Sequence, residues 1–149
     1  MPSSLHHAQE YIRLEMGPAA LPNVAFVSTI EDAVRDADLA IDCVPDELES
    51  KLEIFWLLDR MAPPRTVLAT PTTRLSIADL ANCTYRPAQC IAIVAEAGSL
   101  ASGMSAGAGI PLRTTSRTSP ETIGLVERFW RRLGFIPAFE NDTTEIGIV

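Results

Sequence analysis

Short apolar runs alternate along this chain with amphipathic stretches, and that rhythm restricts its fold more than any other feature. Residues 24–27, 39–44, 66–70, 90–94, 110–115 and 135–139 have the length and composition of strands. Helical stretches separate them: 4–16, a small helix from Ile30 that Thr29 can cap, 46–61, a short helix that Ser76 can cap, and one opened by Ser119-Pro120-Glu121. In the last, serine suits the N-cap, proline the first helical position and the acid the positive dipole end, while Gly134 is the natural stop. The segment 39–44 is apolar enough to predict a strand buried on both faces, as in a parallel sheet. Across 46–61, Leu48, Leu52, Phe55, Trp56, Leu58 and Met61 fall on one broad face and predict core. Residues 98–109, GSLASGMSAGAG, are almost all small and predict a flexible loop within a single domain spanning 1–149.

Charge narrows the partners. The 149 residues carry 12 basic and 19 acidic side chains, a formal net charge of −7, which disfavours nucleic acid and anionic membranes. It also disfavours a polyanionic acyl-CoA unless basic groups cluster. Two groups do: Arg128, Arg131 and Arg132 on one helix, and Arg113 with Arg117 in a loop; for the helix, a solvated face is the simpler reading. No apolar run approaches the roughly 18–20 residues that span a bilayer. The N-terminus has neither the basic start nor the apolar core of a signal peptide, so the cytoplasm is the expected compartment.

The three cysteines, Cys43, Cys83 and Cys90, form no CxxC and argue against a disulfide framework or a metal site. Cys43 and Cys90 lie in apolar runs and are expected in the core. His6 and His7, adjacent at a helix start, make a poor metal site.

From Asn23 to about Arg86 the chain carries DADLAIDCVPD (36–46) and LDRMAPPRTVLATPTTRLSIADLA (58–81). These resemble the DADLVIEAVPE and LD…APP…LATNTSSLSI…LA segments of the NAD-binding domain of 3-hydroxyacyl-CoA dehydrogenases. TSPETI and LGFIPAFENDT, later in the chain, are similar to that domain's closing helix and strand. The resemblance implies a Rossmann-like α/β fold, a mostly parallel sheet with helices on both faces, and NAD bound at the carboxyl ends of its strands.

Position by position, the departures are large. The family's opening strand, G-x-G-x-x-G turn, helix and acid-tipped second strand have no counterpart, so the sheet is expected to lack its first βαβ strands. The turn matters because pyrophosphate needs close approach to backbone N–H groups at a helix N-terminus. GMSAGAG (103–109) does not lead from a strand into a helix and is no substitute. The family's catalytic histidine falls at Val94, and the glutamate that orients it at Pro111. The substrate-contacting serine corresponds to Thr73, and an asparagine two places earlier to Pro71. Glu96 is the one titratable residue near Val94 in sequence, a base only if burial raised its pKa strongly. The resemblance places Val44, Pro45, Asp46, Lys51 and Thr73 toward the cofactor. Structural roles compete for two of them: Asp46 as an N-cap or first-turn acid, and Lys51 as the partner of Glu47 in an i, i+4 pair worth roughly 0.3 kcal/mol.

These readings lead to three expectations. Function: a catalytically inactive relative with at most residual nucleotide or acyl-CoA binding and an oligomerisation role. The alternative is a working NAD-dependent 3-hydroxyacyl-CoA dehydrogenase of fatty-acid metabolism, completed by a missing N-terminal segment or a partner chain. Cofactors: NAD is implied by the resemblance but opposed by the absent glycine loop, and no metal is expected. Partners: the edge of strand 39–44, left without its neighbours, is covered in a homodimer or higher oligomer.

Overall fold

In a computed structural model, residues 7–11, 13–14, 23–96, 99 and 107–142 are described. Five strands lie side by side in chain order: β1 (Leu39–Ile41), β2 (Val67–Pro71), β3 (Cys90–Ile93), β4 (Gly109–Thr114) and β5 (Ile136–Asn141). β1, β2 and β3 run parallel, β4 reverses against β3, and β5 runs parallel to β4. The sheet is mixed but mostly parallel, the Rossmann-like α/β arrangement that the alternating pattern predicts. Every residue of β2 and β3 is buried, because helices cover both faces there. β4 alternates between exposed and buried positions.

On one face, α1 (Ile30–Val34), α2 (Leu48–Met61) and α3 (Ile77–Ala81) pack Val34, Phe55, Leu58, Ile77 and Leu80 against Ala40, Leu68, Cys90 and Ala92. On the other, α4 (Pro120–Arg132) sets Val126 and Trp130 against Val67, Ala69, Ile91, Ile93, Ile110 and Leu112. The predicted caps form. Thr29, Ser76 and Ser119 accept from the backbone N–H groups of Asp32, Asp79 and Thr122. Just past α4, Gly134 takes φ +89°, a left-handed turn that glycine adopts without strain.

Several expectations need correction. Residues 24–27 form no strand, and Val24 and Val27 are exposed; no described strand lies beside them to accept their hydrogen bonds. The segment 39–44 gives only a three-residue strand, of which Ala40 alone is buried. β1 ends the sheet, so it lacks the second flank that would bury it. Cys43 is consequently exposed, whereas Cys90 is in the core as expected. On α2 the buried residues are Lys51, Phe55, Leu58 and Asp59. That stripe turns Trp56 outward, 49 % exposed, beneath the Arg60 guanidinium at 3.8 Å. Leu48 and Met61 are exposed as well. The predicted helix 4–16 is seen at 7–11 and 13–14, and most of the loop 98–109 lies outside the described residues.

Two buried charge pairs lock the helices to the sheet. Arg86 donates to Asp59 Oδ1 through Nε at 2.9 Å, and its two terminal nitrogens reach the carbonyls of Asp59, Ala62, Pro63 and Thr66. One guanidinium thus satisfies the carbonyls at the end of α2 and along the turn into β2. Lys51 does not pair with Glu47. It is almost fully buried and donates to Asp42 Oδ1 at 2.7 Å, tying α2 to the end of β1.

Removing one partner of such a pair strands the other charge in low dielectric. Arg86→Met is therefore expected to lower unfolding free energy by about 3–5 kcal/mol in urea titrations. Lys51→Met should do comparable damage. The double variant Asp42→Val/Lys51→Met, which removes both charges, should regain most of the loss. Equal instability of the single and double variants would contradict this account of the pair.

Candidate functional site

The chain's chemistry-bearing side chains meet where β1, β2 and β3 end. The turns after these strands enclose a cleft of about 380 Å³ lined by Cys43, Val44, Pro45, Asp46, Pro71, Thr73, Arg74 and Glu96. Val44, Pro45, Asp46, Thr73 and Glu96 are thus brought together as the sequence suggests. Lys51 is not among them, because its ammonium is turned inward to Asp42.

Asp46 organises the cleft. Its Oδ1 accepts from the Thr72 hydroxyl at 2.6 Å, its Oδ2 from the Thr73 N–H at 3.2 Å, and its carbonyl from Arg74 Nη2 at 2.6 Å. It does not cap α2; Glu47 occupies that position and makes no side-chain cap bond. The Thr72 hydroxyl accepts in turn from the N–H groups of Arg74 and Leu75, holding the 72–75 turn so that Thr73 is exposed at the cleft. Thr72, Arg74 and Asp42 escape attention in the sequence. Only Asp42 leaves a signal there, as an acid inside an apolar run that must find a partner when buried.

The two positions that the resemblance aligns with the family's histidine and glutamate do meet. The Val94 N–H donates to the Pro111 carbonyl at 2.9 Å, extending the β3–β4 pairing by one step. Neither side chain can accept or donate a proton. Glu96 is exposed at the rim. The thiols are unsuited to nucleophilic work as well, since attack requires the thiolate. Cys43 is exposed as a residue, yet partial desolvation and then the Asp42 carboxylate raise its pKa, with Lys51 opposing. Burial drives Cys90 to about 12.

The cleft's donor set does not suit a dinucleotide's pyrophosphate. Two carboxylates, Asp46 and Glu96, line it, and the single arginine already donates to the Asp46 carbonyl. Gly107, with φ +86°, leads into a strand and not a helix. Among the described residues no group of three or more His, Cys, Asp or Glu is placed to hold a metal ion, and no helix is long and apolar enough to cross a membrane. A larger depression lies elsewhere, about 730 Å³ between α4 and the outer side of β1.

Comparison with known proteins bears on the fold and the family. The family model described as "3-hydroxyacyl-CoA dehydrogenase, NAD binding domain" matches residues 4–94. A probable 3-hydroxybutyryl-CoA dehydrogenase of Bacillus subtilis is 34% identical over 73 residues, 49% of this chain and 25% of that protein. An L-carnitine dehydrogenase of Burkholderia mallei is 29% identical over 126 residues, 84% of this chain and 38% of that protein. The solved structure of (S)-3-hydroxybutyryl-CoA dehydrogenase from Ralstonia eutropha superposes with a TM-score of 0.74 at 18% identity, a likeness of fold, over 94% of this chain and 50% of that one. The chain therefore spans about half of that solved protein and a smaller share of the two curated relatives. With more than half of its residues inside the family model and its sheet superposing on a dehydrogenase of that kind, the chain belongs to the family of 3-hydroxyacyl-CoA dehydrogenase NAD-binding domains.

Proposed function

We propose that this chain is a catalytically inactive member of its family, retaining the scaffold around the strand ends without the proton-transfer pair. One observation carries the reading: Val94 and Pro111, which the sequence resemblance aligns with the family's base and its orienting acid, face each other across β3 and β4 through a backbone hydrogen bond. The register that would bring a histidine and a glutamate together is intact, and the side chains are incapable of the chemistry. A general base contributes about 10²–10⁴-fold in rate, so the loss is decisive for turnover.

The mismatch between the cleft and a pyrophosphate extends the reading to binding. NAD, the cofactor that the family implies, and acyl-CoA are held at most residually, because the cleft sets two carboxylates, Asp46 and Glu96, beside a single arginine already bonded to the Asp46 carbonyl. What the cleft retains is positioning: Asp46 fixes the 72–75 turn, and Thr73 stands exposed where the family has its substrate-contacting serine.

Two measurements on the purified chain test this. A ligand at 100 times its dissociation constant stabilises by about 2.7 kcal/mol, an easily read thermal shift. None of NAD, NADH, NADP, CoA or acetoacetyl-CoA at millimolar concentration is expected to produce one, and acetoacetyl-CoA-dependent NADH oxidation is expected to be at background. Turnover with the pure chain would end the inactive reading. A large shift with NAD alone would leave inactivity standing and refute the argument from the cleft's charges.

A further inference from the structure

The outward face of α2 and the turn beside it carry tryptophan, arginine and tyrosine, the residue types that most often dominate protein interfaces, as one contiguous patch. Helical spacing sets Glu49, Glu53, Trp56 and Arg60 opposite the buried stripe of Lys51, Phe55, Leu58 and Asp59, and all four are exposed. Trp56 is 49 % exposed, and Tyr85, beside the C-terminal end of the helix, is 87 % exposed. The Arg60 guanidinium joins the two rings, 3.8 Å from the centre of the indole and 5.6 Å from the centre of the phenol. Its Nη1 donates to the Trp56 carbonyl at 3.1 Å and lies 3.8 Å from Asp59 Oδ2. No other nitrogen of that side chain is hydrogen-bonded among the described residues. Glu53, on the same face, makes no ion pair among the described residues. The stack is therefore held in place before any partner arrives, with charges of both signs left over for one.

We infer that α2 docks antiparallel on the α2 of a second copy of this chain, with Trp56 at the two-fold axis. The charge pattern selects this occupant. Glu53 lies about one turn before Trp56, and Arg60 about one turn after it. An antiparallel pair centred on Trp56 sets each Arg60 against Glu53 of the other copy, the reciprocal contact that a two-fold interface requires. A parallel pair would set glutamate against glutamate and arginine against arginine. The axis also keeps matching sides of the two helices together. Tyr85, at the C-terminal end of one α2, thus comes over the half-buried Leu52 in the N-terminal half of the other. Each guanidinium stays stacked on its own indole and turns its remaining N–H groups to the carboxylate. The inference stands on α2 and Tyr85, and depends neither on the edge of β1 nor on what the strand-end cleft binds.

Sedimentation equilibrium and fluorescence on the whole chain test it. A contact of one helix per copy associates weakly, so the range runs from about 1 μM to about 1 mM, in about 0.15 M salt to screen the net charge. The mean mass is expected to rise toward twice that of one chain. The emission of Trp56 is expected to shift to the blue over the same range as its indole leaves water, while Trp130, 6 % exposed, contributes a constant background. Trp56→Ser should abolish both changes. Arg60→Glu and Glu53→Arg, each alone, bring like charges together and should weaken association about tenfold or more. Mixed in equal amounts, these two variants should associate again, since each supplies the charge that the other lacks. Should Arg60→Glu fail to fold by circular dichroism, Glu53→Arg and Glu53→Asp decide: the first is expected to dissociate the pair and the second to keep it. A monomer throughout the concentration range would overturn the inference. So would a dimer that survives Trp56→Ser and Glu53→Arg, or a mixture of the two folded charge variants that stays monomeric.

Discussion

The fold depends on a guanidinium. Arg86 lies between the end of α2 and the start of β3, and it gathers the carbonyls of residues 59, 62, 63 and 66 around one positive charge. The Asp59 carbonyl would otherwise lack its helical donor, since position 63 is a proline without an N–H, while the Pro63 and Thr66 carbonyls also accept from the Thr66 N–H and from Gln89 Nε2. Asp59, the counter-charge, also accepts from the Tyr85 N–H. The same pair thus fixes how α2 leaves the sheet and how the chain returns to it through α3. The crossovers on this face are therefore anchored by polar groups as well as by apolar packing, and the second buried pair, Lys51 with Asp42, repeats the device at the other end of α2.

These anchors explain how the strand-end cleft can hold its shape independently of the residues at positions 94 and 111. α2 is held at both ends, so the turn before it presents Asp46 to Thr72 and Thr73 whether or not a substrate is to be bound. The β3–β4 register is set by backbone pairing and by the burial of Ile93 and Leu112. Neither depends on a histidine at position 94 or a glutamate at 111. Scaffold and catalysis are physically separable here, and substitutions at the two positions leave the sheet's ladder in place.

The sequence made the scaffold legible for the same reason. Strand-length apolar runs locate β2 and β3 because both faces of those strands are covered, and hydroxyl or Pro caps locate α3 and α4 because the unpaired N–H groups there demand them. Legibility fails where a residue's fate depends on a distant partner. Lys51 pairs with Asp42 and not with Glu47, and no local rule weighs a buried carboxylate nine residues back against an exposed one four residues back. Trp56 has the apolar character of the α2 core but sits off the Lys51–Phe55–Leu58–Asp59 stripe, and the cation above it compensates. Within the cleft, Val44, Pro45, Asp46 and Thr73 were legible from the resemblance, whereas the Thr72 and Arg74 contacts arise from the turn's conformation.

The free edge accounts for the remaining discrepancies. A strand gains its regularity from neighbours on both sides, and among the described residues β1 has one. Its pairing stops at Ile41, its Ile41 and Cys43 face outward, and residues 24–27, apolar enough for a strand, lie exposed with nothing to join. The arginines of α4 belong to the same account. On a helix at the border of a complete sheet, three guanidinia within five residues would be an ordinary solvated face. Here they line a cleft beside the outer side of β1, with Leu39, Leu125 and Phe129 among them.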